Sequence, residues 1–453
     1  MGLSYQIADY VIGLTYDQLP KEVVSYTKRC ILDYYTTALK GRDGVPIQMI
    51  DELIREMGGA SQATTVTNAK NSVVNVALLN GAASHFIELD DIHKTSIVHA
   101  ATVVMPAAIA VAEWKRLSGK ALITAIVAGY EVAYRIGETV SPSHYYYFHN
   151  TATCGTYGAT AAVAKLLELN ENQIVDALGS AGTQAAGLWE FIEDGAMSKQ
   201  LHPGKAAMHG VLSCLLAQKG FTGAKKILEG SRGFFEAMSE QYDVSKMTAG
   251  IGDSFKIIEN SFRVHASCRH THPVMDLLVE YHKVHDVNIR TIEKIVISTY
   301  KTALDITNNP SPDTIYAAKF SIQFCAALAL STGSGGYHAF TEQILHDPTI
   351  QAILEKIEVQ VDKKVDAAYP KEWGANLSIH FTDGSIYKAK TRYPVGDPEN
   401  PVSTETLVEK FMTLTNELPF EQRVQIVKTI LNLEQYKVKE LIGAVHRKIE
   451  IVS

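Results

Sequence analysis

The sequence predicts a mostly α protein, a large helical domain interrupted by a smaller α+β domain, and three observations carry that expectation. Apolar residues recur at helical spacing from the N-terminus to about residue 250. Alternating, β-branched runs begin only past residue 255. Helical spacing returns from Thr404 to Ser453, after the break at Pro394-Val395-Gly396-Asp397-Pro398. The expected division is a discontinuous, all-helical domain at residues 1–255 plus 397–453, with the α+β domain at 256–396.

Taken in order, Pro20 reads as a first-turn residue of a helix whose inner face is Val23, Thr27, Cys30, Ile31 and Tyr34. Ala107–Trp114, Gly155–Leu167 and Gly204–Gln218 are rich in Ala and Gly, which lets helices approach closely inside a core. Asn170-x-x-Gln173 before Ile174, Ala177 and Leu178 has the form of a capping box. In the second part, Ile292–Tyr300 and Ile357–Val361 read as strands, with helices at Val274–Val284 and Ala317–Leu330. Leu377, Ile379 and Phe381 alternate up to Asp383-Gly384, and Ile386-Tyr387 restart the pattern, which predicts a hairpin with a type I′ turn.

A chain of 453 residues with 46% hydrophobic content can bury a large core. Its 42 Lys and Arg against 49 Asp and Glu leave a formal charge of -7, with no basic run that could track a nucleic acid. A small anionic substrate remains compatible, because cations in a cleft matter more to it than the overall charge. The N-terminus lacks a basic region followed by an apolar run, and the apolar stretch Met105–Ala112 ends in Glu113, Trp114, Lys115 and Arg116. No membrane association is expected, and the location expected is cytoplasmic. Cys30, Cys154, Cys214, Cys268 and Cys325 are scattered, odd in number and free of CxxC pairs, as buried thiols would be. No phosphate-cradling glycine motif is present, and Ser331-Thr332-Gly333-Ser334-Gly335-Gly336 follows a helix as a stop.

Four polar clusters could carry chemistry. His85 to His99 holds three histidines with Glu88, Asp90 and Asp91, although a solvated loop has the same composition. Phe148-His149-Asn150-Thr151-Ala152-Thr153 leads into a small-residue helix whose free NH groups suit a carboxylate, or whose threonines simply cap it. Met197-Ser198-Lys199-Gln200-Leu201-His202 again sets cations ahead of such a helix. Phe262 to Pro273 packs Arg263 and Arg269 with His265, His270 and His272. No metal is expected: the first cluster lacks ligands at helical or strand spacing, and arginines flank the His270/His272 pair.

In combination the clusters read His85-x-x-x-Leu89-Asp90-Asp91-x-His93-x-x-Ser96-x-x-His99 with a following Pro106, then His149-x-Thr151-x-x-Cys154-Gly155-x-x-Gly158-Ala159. Lys199-x-Leu201-His202-x-Gly204-x-Ala206-Ala207 and Phe262-Arg263-x-x-x-x-Cys268-Arg269-x-x-His272-Pro273 come next, with Ala318-Lys319-Phe320-Ser321 as a further block. This order resembles the motifs of the MmgE/PrpD family. The resemblance implies a helical domain with an α+β lid, the site between them, a homodimer, and no cofactor. It implies a small polycarboxylate as substrate, acted on by dehydration of 2-methylcitrate or citrate, decarboxylation of cis-aconitate, or epimerisation of iminodisuccinate. By motif position His99 and His149 are the acid/base candidates and Lys199 the carboxylate clamp, with Glu88 and Asp91 polarising them or acting as base. Asp90, His202, Arg263, Cys268, His272 and Phe324 fall among the expected substrate contacts.

Against the decarboxylase pattern, Glu88 stands where aspartate is expected, Ile92 for threonine, Arg263 for lysine, Cys268 for histidine and Phe324 for tyrosine. Lost hydroxyls remove hydrogen bonds that a specific pocket would use. Dehydration is therefore the first expectation, ahead of decarboxylation, epimerisation and a catalytically silent dimeric scaffold.

Overall fold

The computed structural model describes residues 2–446, and the chain divides into two units. The first runs to Asn260 and resumes at Ser403; the second is Ser261–Val402. The joint after Asn260 has a physical origin. Asn260 accepts from the Tyr134 hydroxyl and donates to Asp91 in the first unit, whereas Ser261 donates to Asp397 in the second.

The first unit opens with α1 (Leu3–Gly13), α2 (Lys21–Gly41) and α3 (Val45–Met57). Val23, Thr27, Cys30, Ile31 and Tyr34 form the buried face of α2, and Pro20 stands at its N-cap. A two-residue strand pair, β1 (Ala63–Thr64) with β2 (Lys70–Asn71), follows, so this unit is not purely helical. Next come α4 (Val73–Phe86), α5 (Ala101–Trp114), α6 (Gly119–Val140), α7 (Asn150–Leu166) and α8 (Glu171–Gly182). Asn170 and Gln173 form the capping box of α8. The short α9 (Phe191–Asp194) precedes α10 (Ser198–Gln218). Helical spacing overstates what comes after: from Lys219 to Asn260 the chain forms α11 (Phe234–Met238), short 3₁₀ turns and loops.

Small residues set the spacing of the helices that matter for the site. A Cβ on Gly81 of α4 would stand 2.9 Å from the Cα of Gly204 of α10, and one on Gly204 would stand 2.3 Å from the Leu78 carbonyl oxygen. A Cβ on Gly158 of α7 would come 2.7 Å from the Gly129 carbonyl oxygen of α6. Backbones in such contact leave little room for sliding. Pro106, expected to help start its helix, lies inside α5 instead. The start is moved upstream by a distant cap, since the NH of Ala101 donates to Oδ1 of Asp91 at 3.1 Å.

In the second unit, α12 (His272–Val284) precedes a four-stranded sheet ordered β4-β3-β5-β6. Here β3 is Ile292–Thr299, β4 Ile357–Val361, β5 Ala375–Phe381 and β6 Ile386–Thr391. β3 pairs with β4 in parallel and with β5 antiparallel. The β5–β6 turn differs from type I′, which needs positive φ at both central residues. Only Gly384 has it (φ 85°), and Phe381 pairs with Ser385 across a three-residue loop. The stretch expected as one helix at Ala317–Leu330 is two, α14 (Ile315–Lys319) and α15 (Ile322–Thr332), after the short α13 (Lys301–Thr307). Ser321 makes the break by capping α15, its hydroxyl accepting from the Phe324 NH at 2.9 Å. Gly333 ends α15 in the left-handed region. The remaining short helices are α16 (Glu342–Leu345), α17 (Pro348–Leu354) and α18 (Lys363–Ala368). The C-terminal part of the first unit is α19 (Thr404–Leu414), α20 (Phe420–Leu431) and α21 (Val438–His446). Lys410 of α19 donates to Asp33 of α2 and to the Leu89 carbonyl, tying this part to the front of the chain. No helix among the described residues is long and apolar enough to cross a membrane.

Candidate active site

The loop from Ile87 to Ala100 joins α4 to α5 and carries most of the first cluster. Glu88 and Ile97 both hold positive φ (59° and 54°), a costly state for residues with a Cβ. The first of these bends the chain so that Asp90 returns to the end of α4, where its Oδ2 lies 2.8 Å from Nδ1 of His85. The same oxygen is 3.1 Å from Nδ1 of His99. His99 donates from Nδ1 to the Asp91 carbonyl at 2.6 Å, so Nδ1 carries a proton.

Asp91 is fully engaged by the protein. Its Oδ2 accepts from Tyr130 at 2.7 Å and from Asn260 at 2.9 Å, while Oδ1 caps α5. Burial pushes its carboxyl up to about 7, helped by Asp33 and Asp90 and opposed by the bonds from Tyr130 and Ala101. Glu88 is buried and accepts from the buried ammonium of Lys199, near the start of α10.

His149 is the N-cap residue of α7, fixed by its NH on the Gly187 carbonyl at 2.9 Å. Neither threonine does the capping. Thr151 accepts from the backbone NH of His99 at 3.0 Å, tying two clusters together, and Thr153 pairs with His144. Nδ1 of His149 lies 3.2 Å from Nδ1 of His202, and its ring centroid lies 5.7 Å from His85 and 6.3 Å from His99. Burial holds its pKa well below the usual histidine value, and His202, His85, Lys199 and His99 add to the effect. Burial also pulls His202 down to about 3, with Lys205, His85 and Lys199 contributing. Both rings are therefore neutral near pH 7.

Glu88, Asp90, Asp91, His99, His149, Lys199 and His202 are thus assembled in the first unit, although they span more than a hundred positions of the chain. His93 is not part of that group. It stacks on Tyr134 at 4.2 Å and pairs with Glu259 at 3.3 Å, beside Glu138. Lys256 lies 3.1 Å from Glu138 and 3.2 Å from Glu259.

Two triplets have donor atoms close enough for a metal ion, His85/Asp90/His99 and His93/Glu138/Glu259. In the first, hydrogen bonds among the three and to the Asp91 carbonyl already use the facing atoms. In the second, Lys256 supplies the positive charge. Neither is read as a metal centre.

The other expected contacts belong to the second unit. Arg263 is buried and donates to the Ser267 carbonyl at 3.2 Å. The Cys268 NH bonds the Lys319 carbonyl. His272 accepts from Arg269 at Nδ1 (2.8 Å), so its proton sits on Nε2, and burial beside Arg269, His265 and Arg263 keeps it neutral. Phe324 is wholly buried in α15, its ring 6.2 Å from Phe340.

The sequence names His85 in the first cluster without giving it a role, and it does not single out Tyr130 or Asn260. His85 carries a weak signal, five positions before Asp90 across a helix end. Tyr130 and Asn260 carry none, since they meet Asp91 only through tertiary packing, 39 and 169 positions away.

Comparison with known proteins agrees over nearly the whole chain. Residues 5–247 match the model of the MmgE/PrpD N-terminal domain and residues 265–434 that of the MmgE/PrpD C-terminal domain. The chain is 26% identical to cis-aconitate decarboxylase of Aspergillus terreus over 461 residues, covering 95% of this chain and 92% of that protein. It is 25% identical to the Homo sapiens cis-aconitate decarboxylase, covering 96% and 93%. It is 26% identical to the mitochondrial 2-methylcitrate dehydratase of Yarrowia lipolytica over 269 residues, covering 56% and 51%. These relatives are lyases by name. With both domain models matched in order around the assembled histidines, the chain belongs to the MmgE/PrpD family.

Proposed function

We propose that the protein is a lyase that moves a proton on a small polycarboxylate, and that its reaction is the dehydration of 2-methylcitrate or a similar hydroxy-polycarboxylate. The observation that carries this reading is a set of neutral imidazoles, His149 and His202 beside His99, next to the buried Glu88–Lys199 pair. A neutral, buried imidazole is a proton acceptor at pH 7, and Lys199 offers fixed positive charge for a substrate carboxylate. In this reading His149 removes the proton from the carbon beside a carboxylate, while negative charge spreads onto that carboxylate against Lys199. His99, protonated before the step, gives its Nε2 proton to the departing hydroxyl. The products are water and the unsaturated acid. Asp90, 3.1 Å from Nδ1 of His99, would compensate the charge of a protonated ring there, which supports the acid role for His99 and the base role for His149. Asp91 acts as a positioning residue, because its oxygens are taken by Ala101, Tyr130 and Asn260.

Decarboxylation of cis-aconitate is the second reading. It is favoured by the decarboxylases that match this chain over more than nine-tenths of their own length. The departures at Glu88, Ile92, Arg263, Cys268 and Phe324 from the decarboxylase pattern keep dehydration first. Incubation with 2-methylcitrate, citrate, cis-aconitate and iminodisuccinate separates the readings. Formation of the unsaturated-acid absorbance from 2-methylcitrate or citrate is expected. Carbon dioxide release from cis-aconitate alone would replace dehydration by decarboxylation, and no turnover of any of the four would overturn the lyase reading.

A further inference from the structure

The contact between His149 and His202 has an unusual form. Two imidazoles face each other through the same atom, Nδ1 to Nδ1 at 3.2 Å. Two bare lone pairs at that distance repel, and so do two N–H groups, so one proton lies between the rings. The tautomers are therefore opposite and linked. If His149 carries the Nδ1 proton, its Nε2 is a lone pair and His202 carries its own proton on Nε2. If His202 carries the Nδ1 proton, the assignments reverse. Among the described residues no protein group bonds Nε2 of either ring, so both outer nitrogens remain available.

Backbone geometry holds the pair in place. Gly187 accepts the His149 NH at 2.9 Å, and a Cβ on it would stand 3.4 Å from both Nδ1 and Cε1 of His202 and 2.5 Å from the Ala152 Cβ. The φ of Gly187 (151°) also lies in the region that favours glycine. On the other side the Phe191 ring meets His202 edge-on at 5.4 Å. His202 is 8% exposed against 2% for His149, which makes it the outer member of the pair.

We propose that His202 is a relay partner of His149, passing protons between that buried base and solvent through the shared Nδ1 proton. The inference rests on the lyase reading and goes beyond it. When His149 Nε2 takes a proton from substrate carbon, the His149 Nδ1–H bond breaks and that proton moves to His202 Nδ1. His202 then releases its Nε2 proton to water, and both rings end neutral with their tautomers exchanged. Run backwards, the same chain delivers a proton to a carbanion. The device answers a difficulty of the site: a lasting imidazolium at His149 would sit beside Lys199, His85 and His99, buried from water. It also separates His202 from the substrate contacts, since its work is done behind His149.

The test uses the full chain. In protein labelled with ¹⁵N at histidine, a scalar coupling across the hydrogen bond between the two Nδ1 atoms is expected, and its absence in the wild type overturns the shared proton. His202→Gln can still bond His149 but cannot relay. It is expected to lose ~10- to 100-fold in kcat with KM unchanged, and to recover part of the loss with added imidazole. A His202→Gln enzyme with wild-type kcat overturns the relay. So does a loss dominated by a higher KM without imidazole rescue, which would mark a substrate contact. A wild-type protein silent on all four acids removes the lyase reading and the relay together, an outcome told apart because it needs no variant.

Discussion

Two histidine–carboxylate clusters grow from the same loop, and they are electrically opposite. Around His93, the carboxylates of Glu138 and Glu259 meet the ammonium of Lys256. Burial alone would raise Glu259, but the hydrogen bond and charge of His93, with Lys256, pull it down to about 2. Around His149 burial is not outweighed: His149 and His202 are pushed towards neutrality, and Asp91 is pushed up to about 7. Similar residue types thus yield an ion-paired cluster in one place and buried groups held towards their neutral forms in the other. Partner charge and access to water decide the difference, not composition.

The comparison is broken most directly by removing one histidine from each cluster. His149→Ala is expected to lower kcat by ~10²- to 10⁴-fold, while His93→Gln stays near wild-type turnover. Equal losses in the two variants, measured on the same acid, would erase the distinction. A second effect concerns pH. The folded value of Asp91 is about 7 against an ordinary 3.8, so its contribution to stability is full below 3.8 and is lost as pH rises through 7. Compared with wild type, Asp91→Asn is therefore expected to gain thermal stability steadily between pH 4 and 8. A difference in Tm that is flat over that window would contradict the raised value.

Smaller effects follow. Gly204→Ala forces a methyl group against the Leu78 carbonyl and is expected to cost about 1–3 kcal/mol in denaturant unfolding, lowering kcat as α4 and α10 separate. Glu259→Gln tests the ion-paired cluster. Glu259 has a depressed value, so its stabilisation is present above the ordinary 4.5 and is lost as pH falls through about 2. Its side chain is 44% exposed, which limits the expected cost at pH 7 to about 0.2–1 kcal/mol, with turnover unchanged.

How much of this was legible depends on how far apart the cooperating residues lie. The capping box of α8 and the strands β3 to β6 are local patterns, and the sequence shows them directly. The turn at Asp383-Gly384 is misread because one glycine serves both a two-residue type I′ turn and a three-residue loop, and only the pairing of Phe381 with Ser385 distinguishes them. The start of α5 is misplaced because its cap, Asp91, lies ten positions before Ala101. At the site, His99, His149 and Lys199 stand in short motifs beside helix starts and could be singled out. What surrounds them could not. Tyr130 and Asn260 on Asp91, and the facing nitrogens of His149 and His202, depend on packing between segments that no local spacing connects.

The crossing of α4 and α10 has a practical consequence for anyone altering specificity. Glu88 follows the end of one helix and Lys199 begins the other, and Gly81 and Gly204 bring those backbones into contact. The gap between acid and ammonium is thus not a quantity that library mutagenesis can tune by exchanging residues at the crossing, where a single added methyl meets main-chain atoms. Variation that leaves Gly81 and Gly204 in place keeps the mount of the charged pair untouched.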